Sequence, residues 1–175
     1  MHRALATTNI LLGLAFCTVS LAACGQTVRL TDVRSAYRAA CKAPQDRATV
    51  ESFIEAAEQW TRADTSSAYH RGLLATARMM RAETLWNPLE KLQTFQSQRD
   101  PLEAAIADAP DHPELRLFRL SVQWSVPFFL DYSSDMDDDA ASVAAALESG
   151  YWADDVEQGA FALTFLEHLR DDASK

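Results

Sequence analysis

The stretch that decides the fold is PELRLFRLSVQWSV, residues 113–126. Leu115, Leu117, Phe118, Leu120, Val122 and Trp124 leave almost no side of a helix polar. The exceptions are ordered. Arg116, Arg119 and Gln123 recur at spacings of three and four, so they form one narrow stripe. A helix this apolar belongs at the centre of a fold, covered by others. Pro113 suits a first helical turn, and Pro127 ends the run.

The flanking sequence supplies the covering helices. Thr31 to Lys42 places Val33, Ala36, Tyr37, Ala40 and Cys41 on one face. From Thr49, Val50, Phe53, Ile54, Ala57 and Trp60 make a stripe, with Glu51, Glu55 and Glu58 mostly away from it. A third helix is expected from about Ser67 to Trp86, broken by Asn87-Pro88. Pro88 opens the next, with a stop expected near Ser97 to Asp100 and a restart at Pro101. Asp135 to Asp139 reads as a solvated acidic loop before an Ala-rich helix, Ala140 to Leu147, closed by Gly150. Val156 to about Arg170 is the last helix. No stretch alternates with the period of a strand. The expectation is an all-α single domain over 31–175 with about seven helices. Leu102 to Pro110 resembles the second helix and closing proline of a tetratricopeptide unit. Ala-Pro recurs at Pro44 and Pro110, 66 residues apart, near two periods of about 34. That resemblance implies stacked helix hairpins; the other reading is an irregular helical bundle.

Composition limits the function. The chain has 175 residues, 25 acidic against 16 basic, for a formal charge of −9. Nucleic-acid binders usually carry a basic footprint, so this balance argues against one. At 48% hydrophobic the chain has the material for a core. Three cysteines are too few for a disulfide scaffold.

The N-terminal 23 residues read as an address. Met1-His2-Arg3 is a short positive start, and Ile10 to Ala22 is an apolar run too short to span a membrane. Leu21-Ala22-Ala23-Cys24 resembles the lipobox of bacterial lipoproteins. That resemblance implies cleavage after residue 23 and acyl chains, palmitate among them, on Cys24, which anchor the chain to the lipid bilayer. The other reading is an ordinary secreted protein with a coincidental cysteine. Gly25, where lipoproteins retained at the inner membrane carry Asp, favours the outer membrane facing the periplasm. The mature chain would have 152 residues and a formal charge of −10, with 24–30 as a lipidated tether. Cys41 would be its one free thiol, read as a small hydrophobe on a helix face.

A second resemblance covers residues 86–132. Trp86-Asn87-Pro88, Lys91-Leu92, Phe95, Leu102-Glu103-Ala104-Ala105-Ile106, Glu114-Leu115-Arg116, Phe118-Arg119, Gln123, Pro127 and Phe129-Leu130-Asp131-Tyr132 resemble a family of uncharacterised bacterial exported proteins. It implies a helical, tetratricopeptide-like domain and carries no catalytic residue.

Arg116, Arg119 and Gln123 are the candidate polar site. Arg is seldom buried unpaired, so Glu83, Glu103 or an Asp of the 135–139 run is its expected partner. The alternative is a groove presenting Arg to an acidic ligand. The acidic run fails the calcium-loop pattern, because Ala140 and Ala146 stand where Gly and Glu belong. His70, His112 and His168 lie 42 and 56 residues apart, without the spacing of a metal motif. No metal or cofactor is expected, and no nucleophile or phosphate-loop motif appears. Aromatics such as Trp86, Trp124, Phe128 and Phe129 could line a groove, although at helical spacing core is the commoner role. Tyr151 and Trp152, beside Gly150, are the expected exposed pair and candidate interface. The functional expectation is a membrane-anchored, non-enzymatic protein or peptide interaction module. The alternatives are a small-ligand binder with an Arg- and aromatic-lined pocket, and an enzyme of unknown class.

Overall fold

Short polar side chains and prolines set where the helices begin. The computed structural model describes residues 28–173; the expected signal segment and Cys24 lie outside the described residues. Among the described residues there are seven α-helices and no strand. They are α1 (Leu30–Lys42), α2 (Arg47–Thr61), α3 (Ala68–Met80), α4 (Pro88–Asp108), α5 (Pro113–Ser125), α6 (Met136–Glu148) and α7 (Val156–Ala173). Asp46 caps α2 by accepting from the Ala48 amide, and Asn87 caps α4 by accepting from that of Leu89. Pro88 and Pro113 occupy first turns, where a missing N–H costs nothing. Gly150 adopts φ 74°, and the Tyr151 and Gly150 amides return to the carbonyls of Ala146 and Leu147. That left-handed turn closes α6 as expected.

Three boundaries differ from the sequence expectation. The third helix stops at Met80 and tightens into a 3-10 turn, Arg81–Thr84. α4 runs unbroken through Pro101. Its buried residues Phe95, Leu102, Ala105 and Ile106 form one continuous stripe, and packing of that stripe offsets the lost amide of an exposed proline. α6 begins inside the acidic run, with Asp137, Asp138 and Asp139 in its first turn. Carboxylates there meet the positive end of the helix. Asp139 is also drawn inward and is 0% exposed.

Helices adjacent in sequence pack together along most of the chain, and α7 returns to α1. α5 touches α3, α4 and α6, the central place its composition predicts. Leu115, Leu117, Phe118 and Leu120 are all essentially buried. Tyr37 of α1 meets Phe53, Phe118 and Phe161 at ring-centroid distances of 5.6, 5.0 and 5.5 Å. One ring thus joins α1, α2, α5 and α7, with the tilted and edge geometries that aromatic rings favour. Gly72 lets α3 approach α4 and α5. A Cβ there would stand 2.2 Å from a Leu115 methyl and 3.3 Å from the Ala105 Cβ.

Candidate functional site

The Arg stripe is engaged inside the fold. Arg119 is 4% exposed, and its Nε and Nη2 donate to the two oxygens of Asp139 at 2.7 and 2.8 Å. Its Nη1 donates to Glu103 at 2.8 Å, and Asp135 lies 3.5 Å away. Arg116 donates to Asp139 at 3.0 Å and to the Pro110 carbonyl at 2.8 Å. Tyr132 donates its hydroxyl to Glu103. Burial opposes the charge on Arg119, but the hydrogen bonds and charge of Asp139 outweigh it and hold the guanidinium protonated. Burial and Glu103 push the Tyr132 phenol upward. Of the expected acidic partners, Glu103 and the 135–139 run are used, whereas Glu83 lies near Lys91. Gln123 is buried, and neither atom of its amide has a hydrogen-bond partner.

A second charged cluster was not legible in the sequence. Glu114 is 1% exposed and accepts from Arg34 Nε at 2.9 Å, Tyr69 at 2.9 Å and Trp152 at 3.2 Å. Arg34 also reaches Asp155 at 3.3 Å, and Asp155 caps α7 through the Gln158 amide. Trp152 is therefore buried, contrary to the expected exposed pair, because its indole N–H answers Glu114. Tyr151 remains 38% exposed. Arg34 and Glu114 lie 80 residues apart, a separation no local pattern reveals. Burial lowers the proton affinity of the adjacent His112, whose ring stacks on Tyr69 at 5.0 Å.

The unmatched surface lies elsewhere. A groove of about 1090 Å³ opens where the C-terminal ends of α1, α3 and α5 meet the start of α4 and the side of α7. Its base includes the buried Met79, Phe95 and Val122. Its edge includes Leu89, 60% exposed, Trp124, 39% exposed, and Phe129, 71% exposed. Local chemistry opens it: α3 stops at Met80, α4 restarts only at Pro88, and Pro127 ends α5 before the 3-10 turn Phe128–Leu130. Phe128, flanked by the lining residues Pro127 and Phe129, and Trp86, two residues before Pro88, are almost fully exposed. Exposed aromatics gathered in this way mark a binding surface more often than chance. Cys41 lines the groove, and burial pushes its thiol up to about 12, so it is protonated at neutral pH.

Among the described residues, no group of His, Cys, Asp or Glu is arranged to hold a metal ion. None of the described helices is long and apolar enough to cross a membrane. No family model, no curated protein and no solved structure matches the chain. The class of protein defined by fold and site is an all-α domain with an apolar groove at one end.

Proposed function

We propose that the protein is a non-enzymatic binding module, held at a membrane of the bacterial cell envelope by lipid on Cys24, with the apolar groove as its working face. The groove carries this reading: about 1090 Å³, just above the usual range for small-ligand sites, with a lining mainly of Met, Leu, Val and aromatic side chains. It supports the small-ligand alternative in altered form, because neither Arg116 nor Arg119 lines it. The exposed Trp86 and Phe128 favour a second reading, in which the same edge meets the apolar segment of a protein partner. α1 links anchor and groove. Lys42 stands about 18 Å from Leu30 at the helical rise per residue, so the groove lies at the end of α1 remote from the tether. The tether itself reaches at most ~20 Å from Cys24.

Two measurements test the proposal. Cys24→Ala should move the chain from the carbonate-washed membrane fraction to the soluble fraction; retention would refute the anchor. An apolar fluorescent dye should bind the Cys24→Ala chain at one saturable site, and Leu89→Glu should abolish that binding. Undiminished dye binding by the Leu89→Glu protein would remove the groove from the function.

A further inference from the structure

We propose that the groove takes a single-chain anionic amphiphile, in chemical class a free long-chain fatty acid, with its alkyl chain among Met79, Phe95, Val122 and Phe165 and its carboxylate at Lys42. This rests on the reading that the groove is the working face.

Three observations converge. The lining is largely apolar, which suits an alkyl chain and offers few donors to a sugar or nucleotide. Its charge also runs against the rest of the molecule. The chain carries 25 acidic residues against 16 basic, yet the groove is lined by the basic side chains Lys42, Lys91 and His168 with one carboxylate, Glu83. Glu83 is already engaged, since Lys91 Nζ stands 3.9 Å from it. Finally, Lys42 forms no ion pair among the described residues and sits in the last turn of α1, where a cation is favoured. A cationic amphiphile would be repelled by that exposed ammonium, and a neutral one would gain nothing from it. A carboxylate on a single chain satisfies both the apolar lining and the unpaired cation.

The test uses the full-length chain carrying Cys24→Ala, so that no covalent acyl group competes for the groove. Palmitate, hexadecanol and hexadecyltrimethylammonium are titrated below their aggregation limits, followed by calorimetry and tryptophan fluorescence. Palmitate should bind one to one, about fivefold tighter than hexadecanol, the scale of an exposed ion pair. Each methylene removed should weaken binding about fourfold, so myristate should bind about 15-fold more weakly than palmitate. Lys42→Met should erase the preference for palmitate over hexadecanol, and Lys42→Glu should reverse it. Leu89→Glu should weaken all chains, whereas Leu163→Glu, an exposed leucine outside the groove, should change nothing. Circular dichroism of each variant confirms that it is folded.

Equal affinity for the three head groups, or a preference for the cation, overturns the fatty-acid assignment and leaves the groove as a binding site. Sedimentation with phosphatidylglycerol vesicles, without one-to-one palmitate binding, also overturns it, in favour of a bilayer source. If no chain binds saturably and Leu89→Glu has no effect on dye binding, the groove reading falls as well.

Discussion

Two regions of α5 treat their side chains in opposite ways. Around Arg116 and Arg119 the charges find partners: the buried Arg119 is matched to Asp139 and Glu103, and the partly buried Arg116 to Asp139. Around Val122 and Trp124, toward the other end of the helix, apolar side chains face an open groove. The asymmetry follows from cost. An unpaired buried charge is heavily penalised, so a fold that buries Arg must also supply its counterion. An exposed apolar side chain costs far less, and a binding surface can therefore persist in the free protein. The arginines of the stripe that stands out in the sequence are engaged in internal ion pairs, and the unmatched apolar surface carries the proposed function.

The comparison breaks most sharply at Arg119. Arg119→Ala should cost roughly 3–5 kcal/mol, because Asp139 would stay buried with only Arg116 to answer it. Urea unfolding measures this loss, and a cost below ~1 kcal/mol would show that the cluster does not hold the fold. Replacing the pair together, Arg119→Met with Asp139→Leu, should recover most of the stability.

Gln123 sharpens the boundary between the regions. Its buried amide lacks partners, so Gln123→Met should stabilise the protein by about 1–2 kcal/mol. A loss of stability would show that the amide is satisfied in solution.

His112 gives a smaller, pH-dependent effect. Its proton affinity in the folded state lies below the ordinary value of 6.5, chiefly because burial disfavours the imidazolium. Below that value the unfolded chain takes up a proton that the folded chain resists. Stability should therefore fall as pH drops from 7 to 5. His112→Phe, which keeps an aromatic ring against Tyr69, should show a smaller drop in urea midpoint over that interval. An identical drop would place the titration elsewhere.

The groove edge should show the smallest stability effect. Leu89→Glu and Phe128→Ser should each change folding stability by no more than about 0.5 kcal/mol, as exposed substitutions usually do. A loss above ~1.5 kcal/mol in either would mean that the edge supports the fold.

Local chemistry made the helices legible. The 3.6-residue stripes of α1, α2 and α5, the prolines opening α4 and α5, and the glycine closing α6 are all short-range features. The stop expected near Ser97 to Asp100, with its restart at Pro101, does not form, because tertiary burial of Phe95 and Leu102 outweighs a local breaker. Trp152 was misplaced for a related reason. Its neighbours predict an exposed corner, but its hydrogen-bond partner, Glu114, comes from a helix 38 residues earlier. The aromatic residues of the groove were visible as a composition, without any sign of which would be covered.

The sequence by itself determined that the chain is all-α, that the helix at 113–125 is central, and that an Arg buried on that helix would need acidic partners. Each of these follows from side-chain periodicity or from the cost of burying charge, which act at any arrangement of the helices. Only the tertiary structure decided which carboxylates answer the arginines, that Gly72 leaves no room for a Cβ between α3 and its neighbours α4 and α5, and that a groove remains at one end. Those outcomes depend on how helix ends meet in space, and the meeting points are set by contacts between residues far apart in the chain.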